Sequence, residues 1–506
     1  MGNYYYKHNA WKKIVINTAF MLTGSLLILF WPNTWSYLLA KQWQIKPGTL
    51  LFKIWSDPPQ PIYLDVYFFN WTNPHEFQNQ SIKPKFNEVG PYRFQEYPQK
   101  VNVTYHDQND TISYRKQSRF IFLPDESKGQ LSDMITSINV VALSSANQAR
   151  SWNIFKVKGV ELSLSFFDQQ IHLTKTASEL LFEGYDDPII NVAKEIAKIM
   201  GITVPFDRFG YFYSRNESSL LTGDFNVDSG ISTVGQLRKW NYQSTSDHFE
   251  GSCSNLEGAS AGELFPPEIT NKISTISVFS PEICRNLLID FEKEINVDGI
   301  TAKRFIGGDR TVDNGTKYPE NKCFFSGDNV ASGVLNVTAC RLGAPVFMSF
   351  PHFYAADESY RNAIEGMAPN KEKHQFYMTF EPKTSLPIEI AGRFQLNVLI
   401  KPIRNINMYK NVPTKFLPVV WFEQHFKASQ NVNRIIKLLL WIPIIGQIIG
   451  FLIALIGIYG IYKISSQKSQ NEEISIIRDN NYNSIQMNIS KVPEKRLLPE
   501  EASLIN

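Results

Sequence analysis

Cysteine is scarce in this sequence and confined to one stretch. Of 506 residues only four are cysteine, Cys253, Cys284, Cys323 and Cys340. No C-x-x-C pair occurs, which argues against a zinc ribbon or finger. The 8 histidines are scattered, none at ligand spacing with another histidine or a cysteine, so no metal site is expected. An excess of one charge is absent too. Lys+Arg number 51 against 48 Asp+Glu, a net +3, with no basic run, so nucleic acid is not an expected partner. The sequence contains no H-E-x-x-H, no Walker loop and no G-x-G-x-x-G. No catalytic residue and no cofactor is expected, and the chain reads as something other than an enzyme.

What it has instead is apolar length. Hydrophobic residues make up 43% of the chain, and two runs concentrate them. Ile14 to about Leu39 follows Lys12 and Lys13, and Leu438 to Tyr462 contains no charged side chain. About 20 apolar residues cross the hydrocarbon core as a helix, so both runs qualify. The first run is longer than a signal-peptide core of ~7–15 residues and lacks an A-x-A-like cleavage site, so an uncleaved anchor is expected. The expected organisation is a cytosolic N-tail over 1–13, a span over 14–37, an ectodomain over 38–435, a second span over 436–462 and a cytosolic tail over 463–506.

Two spans put both termini on one side. Lys7, Lys12 and Lys13 favour a cytosolic N-terminus, but Lys41, Lys46, Arg434 and Lys437 flank the other ends and weaken the count. The segment between the spans decides. Asn70, Asn79, Asn102, Asn109, Asn216, Asn314 and Asn336 all head N-x-[ST] triplets there. All four cysteines lie there as well, and an even number in a translocated domain reads as disulfides. Spacing leaves three pairings open.

Within that domain Ile62–Trp71 reads as a strand, and Val101–Phe122 as a hairpin about a DQND turn. From about 130 to 201 the pattern turns helical, with Leu131, Met134, Ile135, Ile138 and Val141 at helical spacing. Thr176 with Glu179 has the spacing of a capping box, and Asp187-Pro188 of a helix start, with Gly201 at the far end. The tail after Tyr462 reads as polar and unstructured.

In the second span Gly446 and Gly450 form G-x-x-x-G, followed by Gly457 and Gly460. They read either as a helix-packing face or as the ordinary glycine of membrane helices. Gln447 reads either as an inter-helix hydrogen bond or as a tolerated polar residue. The C-terminal residues place Glu500 four positions before Leu504-Ile505, the acidic dileucine pattern that clathrin adaptors bind in extended form.

Longer segments resemble one family in its own order: PPQPIYLDVYFFNWTNPHEF (Pro58–Phe77), EVGPYRFQE (Glu88–Glu96), ELLFEGYDDP (Glu179–Pro188), FGYFY (Phe209–Tyr213), VFSPEICR ending at Arg285, and SGVLNVTACRLGAPVFMSFPHFY (Ser332–Tyr354). The chain resembles the class B scavenger receptors, most of all their lysosomal integral membrane member. The resemblance implies an α+β fold: a large antiparallel β-barrel-like ectodomain with an apical helical bundle at about 130–201, flanked by two transmembrane helices. It implies a lipid-conducting tunnel and ligand binding at the apex, where Trp152, Phe155, Lys156 and Lys158 are the candidate contacts. It implies Cys284 paired with Cys340 and Cys253 with Cys323. Asn329 stands where the lysosomal member has a cysteine, and no histidine occurs between His106 and His172, which departs from that member's pH-sensing apex.

The expected function is a lysosomal or endosomal membrane receptor that binds lipid or lipoprotein at the apex and passes lipid to the membrane. The alternatives are a sorting receptor that delivers a lumenal hydrolase to lysosomes, or a phagocytic scavenger receptor at the cell surface. The expected partners are the membrane, a lipid, lipoprotein or lumenal protein ligand, and a clathrin adaptor at the tail. The expected location is the lysosome membrane, with cycling through endosomes and the plasma membrane.

Overall fold

The structure, a computed structural model, describes residues 2–58, 60–199, 206–230, 233–266, 274–325 and 330–489. It divides into two compact units, the terminal segments up to Leu39 and from Ile436, and the body Ala40–Ile435.

The body is built on one antiparallel sheet. Its first half comprises β1 (Ile62–Trp71), β2 (Phe86–His106), β3 (Thr111–Phe122), β6 (Asp224–Asp228) and β7 (Leu237–Trp240). Its second half comprises β8 (Thr275–Ser280), β9 (Arg285–Val297), β10 (Ile300–Ile306), β13 (Tyr377–Phe380), β14 (Pro387–Ile400) and β15 (Lys415–Lys427). The order is β7-β6-β3-β2-β1-β15-β14-β13-β10-β9-β8, with β12 (Val346–Ser349) on β14 and β11 (Leu335–Asn336) on β12. Period-2 alternation sets the register. Leu64, Val66 and Phe68 are buried on one face of β1, across from Phe94 and Tyr92 on β2 and from Phe422 and Val420 on β15. Gly90, at φ 132°, sits beside the register shift between β1 and β2, and a Cβ there would lie 2.7 Å from the Val66 carbonyl.

The sheet is nearly closed. Its edges β7 and β8 are bridged by the segment around Ser260. Leu237 N–H donates to Ala259 O at 2.8 Å on one side. On the other, Ser260 N–H donates to Ser277 O at 2.9 Å and Phe279 N–H to Ser260 O at 2.8 Å. Two edges that would otherwise present unpaired N–H and C=O groups are thereby satisfied.

The 130–201 stretch is helical only in part. Met134–Ile138 forms β4, paired with β5 (His172–Thr176). Ile135, Thr136 and Ile138 are β-branched, a preference that overrides the helical spacing of the apolar residues. Helices α3 (Val140–Ala149), α4 (Ile154–Phe166) and α5 (Pro188–Ile199) supply the bundle. The Thr176–Glu179 box forms reciprocally, Thr176 N–H donating to Glu179 Oε2 at 2.9 Å and Glu179 N–H to Thr176 Oγ1 at 3.2 Å. Asp187 Oδ1 accepts from Ile189 N–H at 2.9 Å, with Pro188 opening α5. Gly201 lies outside the described residues.

In the terminal unit, α1 (Gly2–Gln42) and the C-terminal helix (Gln430–Ile489) are both long and apolar enough to cross a membrane. The expected windows 14–37 and 436–462 sit inside these longer helices. Within the body, the short helix α2 (Leu50–Ser56) precedes β1, capped by the Thr49 side chain, which accepts from Phe52 N–H at 3.2 Å. The C-terminal helix runs on through the polar segment to Ile489, against the unstructured tail expected there. No glycine or proline between Tyr462 and Ile489 stops it, and Lys468–Glu472 pair at i,i+4. The glycines of the second span are its packing face. A Cβ on Gly450 would lie 2.9 Å from Gly24 O, and one on Gly457 2.5 Å from Asn17 O, both on α1.

Ser260→Pro removes the donor that holds β8 to the closing segment. Thermal unfolding of the full-length chain is expected to show a loss of about 3 kcal/mol, the cost of a proline that deletes a backbone bond and clashes. Ser260→Ala, which keeps the N–H, should lose less.

Candidate ligand-binding site

The helical cluster of the body is built outward from α4. Asn153 caps it, its side chain accepting from Lys156 N–H at 3.1 Å. Val157, Glu161 and Leu164 form the inner face. Glu161 Oε2 accepts from Asn407 N–H at 3.0 Å, which ties the helix to the loop before β15. The opposite face is apolar and uncovered. Phe155 is 86% exposed, Leu162 70% and Phe166 78%. With Gly159 they fall at i, i+4, i+7 and i+11, one stripe of the helix. A Cβ on Gly159 would meet nothing. Trp152 and Ile154 are exposed at the helix start. Lys156 and Lys158 are exposed beside the stripe, with no ion-pair partner among the described residues. Where α4 ends, a shallow groove of about 390 Å³ runs along α5, lined by Phe167, Pro188, Val192 and Ile196 with the polar Asn191 and Glu195.

Trp152, Phe155, Lys156 and Lys158 therefore lie together on one surface. Leu162 and Phe166 belong to it and were missed by the sequence reading. Both faces of α4 are apolar, so periodicity alone cannot say which is buried.

A second polar centre lies on the inward face of the barrel. Along β3, Tyr114, Lys116, Ser118 and Phe120 alternate with outward Arg115 and Arg119. Glu263 gathers this centre. Its Oε1 pairs with Lys100 Nζ at 2.7 Å and Lys116 Nζ at 3.2 Å, while Trp55 Nε1 on α2 and Tyr114 Oη donate to Oε2, each at 3.0 Å. Burial alone would raise its pKa, but the two lysines outweigh it and hold it at about 2. Glu96 goes the other way, raised by burial, though Ser118 and Gln424 donate to it. Arg215 pairs with Glu282 at 3.3 Å. Glu263 keeps 21% of its side-chain surface accessible and Glu282, in the turn between β8 and β9, 36%, while Lys100 keeps only 5%.

The SFPHFY segment forms a third cluster. His352 Nε2 lies 2.6 Å from Glu88 Oε2, which also accepts from Trp421 Nε1 at 2.7 Å. Ala368 N–H donates to His352 Nδ1, so Nε2 carries the proton and donates to Glu88. His374 stacks on His352 at 4.5 Å between ring centres, and burial with that neighbour lowers its pKa to about 4. Both rings serve the architecture here: each takes a backbone N–H at Nδ1.

Gly258-Ala259-Ser260-Ala261-Gly262 matches the letters of G-x-S-x-G, a pattern the sequence reading wrongly counted as absent. Ser260 is nonetheless buried in the closing segment, and its Oγ donates to Leu264 O at 2.7 Å, so it is not presented as a nucleophile. Among the described residues no cluster of metal ligands occurs.

Disulfides join Cys253 to Cys323 and Cys284 to Cys340. Among the sequons, Asn79, Asn102, Asn109 and Asn216 are exposed, while Asn70, Asn314 and Asn336 are half-buried. Glu500, Leu504 and Ile505 lie outside the described residues, as does Asn329.

A model of the CD36 family matches residues 15–465. The chain is 38% identical over 448 residues to Protein peste of Drosophila melanogaster, covering 87% of this chain and 80% of that one. It is 33% identical over 413 residues to Scavenger receptor class B member 1 of Mus musculus, covering 81% and 79%. It is 30% identical over 459 residues to Lysosome membrane protein 2 of Homo sapiens, covering 87% and 93%.

Glu263→Gln leaves Lys100 buried beside a neutral amide, and a loss of about 3–5 kcal/mol in unfolding free energy is expected. The carboxyl's folded pKa of about 2 lies below an unfolded value of ~4.3, so its contribution is present above ~4.3 and lost as pH falls toward about 2. Stability of the full-length chain measured from pH 7 to 2 should therefore fall in that lower window, and Glu263→Gln should flatten the fall.

Proposed function

The chain belongs to the CD36 family of class B scavenger receptors, and from that premise we propose that it is a lysosomal or endosomal receptor that takes lipid or lipoprotein at the apex and passes lipid toward the membrane. The observation that carries this reading is the outer stripe of α4. Three large apolar side chains are held in water at 70–86% exposure, beside two lysines that have no ion-pair partner among the described residues. Covering such side chains contributes ~1.5–3 kcal/mol each, and the lysines suit an anionic headgroup. The barrel interior supports the second half of the proposal. Inward side chains there keep accessible surface, and aromatic rings such as Phe120, Phe182 and Phe212 line the inner face, Phe182 lying 5.0 Å from Phe120 and 5.4 Å from Phe212. Moving lipid along such a path needs no covalent step. The terminal Glu500-x-x-x-Leu504-Ile505 would route the receptor through a clathrin adaptor, and the seven sequons would carry glycan on the lumenal face.

Phe155→Ser/Leu162→Ser/Phe166→Ser should abolish binding to lipoprotein or to anionic vesicles in a sedimentation assay and leave the thermal midpoint unchanged, because the three side chains are already exposed. Lys156→Glu/Lys158→Glu should weaken binding mainly at low salt. Undiminished binding by the triple variant would remove the apex from the proposal, and stoichiometric capture of a lumenal hydrolase by the wild type would favour sorting. Leu504→Ala/Ile505→Ala should move a tagged full-length chain from lysosomes to the cell surface.

A further inference from the structure

Pro32 lies inside α1. A proline within a helix offers no N–H to the carbonyl four residues earlier, here that of Ile28. In hydrocarbon no water replaces that donor, so the freed carbonyl must be satisfied by protein. The donor comes from the other span. Gln447 Nε2 donates to Ile28 O at 3.3 Å. Its surroundings are apolar, Ile28, Ile444, Ile448 and Phe451 lining the adjoining groove.

A second bond runs the opposite way. Trp31 Nε1 donates to Ile442 O at 3.1 Å. The indole can lie there because residue 446 is glycine, and a Cβ at that position would overlap the ring. Each helix thus contributes one side-chain donor to the other's backbone. The remaining glycines bring the backbones together: a Cβ on Gly450 would lie 2.9 Å from Leu27 Cβ, and Gly24 faces Ala454 with no room for a methyl group.

We propose that Gln447 is an intramembrane latch: its amide caps the Ile28 carbonyl that Pro32 leaves open, and it locks the two spans of one chain into a pair. The glycine face is then consumed within the chain, and copies of the receptor must meet through other surfaces.

The test uses the full-length chain in detergent, with dyes at Lys12→Cys and Lys468→Cys. Separation of the spans by SDS is followed by energy transfer. Gln447→Leu should shift the separation equilibrium about 3- to 20-fold toward the open state, the range measured for hydrogen bonds between membrane helices. In a Pro32→Ala background, where the introduced alanine supplies its own N–H to the Ile28 carbonyl, the same substitution should shift it less than about 2-fold. That non-additivity separates a cap from mere packing. Equal shifts in both backgrounds, or none in either, would overturn the latch. Chains carrying one dye each, mixed before measurement, should show no transfer. Transfer between them as strong as within one chain would overturn the pairing within one chain and assign the glycine face to a contact between copies.

Discussion

The body of this protein depends on how the two edges of one large antiparallel sheet are satisfied. Open edges expose a row of backbone donors and acceptors, and a sheet of this width with bare edges would pair with other chains. Here the edges β7 and β8 meet across the Ser260 segment, which bonds to both. Closure makes an inside. Only then can one face of β2 and β3 carry Lys100, Lys116 and Glu96 away from bulk water while the other faces solvent.

That inside is unusual in being both aromatic and charged. Phe94, Phe122, Phe182 and Phe212 pack at 4.9–5.4 Å between ring centres in one region, and Lys100, Glu263 and Lys116 bond in another. A buried ion pair is a weak source of net stability, since desolvation offsets most of its attraction. Its accessible rim is what sets it apart from ordinary core. Aromatic rings and an ion-paired centre are thus carried by one curved sheet, the first packing ring against ring and the second held by charge.

Much of this was legible in the sequence, and the reasons are physical. The two spans announce themselves because a helix in lipid must be apolar for its whole width. Ile62–Trp71 is recognisable as a strand from its β-branched and aromatic residues, and the Thr176–Glu179 and Asp187-Pro188 signals act over three or four residues, so they survive any tertiary context. Met134–Ile138 failed because its apolar spacing fits a helix turn as well as a strand, and pairing with β5 decided it. The Glu263 centre was invisible for a different reason. Lys100, Lys116 and Glu263 are brought together across some 150 residues of chain by barrel closure, which no local pattern encodes. The polar helix beyond Tyr462 was missed because lack of hydrophobicity was read as lack of order. The family resemblance supplied the barrel and the apex, but identities of 33% and 30% to the class B member 1 and lysosomal relatives do not single out one of them.

The two disulfides interleave along the chain, each loop enclosing one end of the other: 253 joins 323 and 284 joins 340. A single backbone cut between Cys284 and Cys323 therefore leaves the two pieces held by both bridges. A cut between Cys253 and Cys284, or between Cys323 and Cys340, leaves them held by one. No single proteolytic event in this stretch can shed part of the body. Among proteases a nicked chain would remain one covalent object, and its lifetime would be set by the redox state of its surroundings as much as by cleavage.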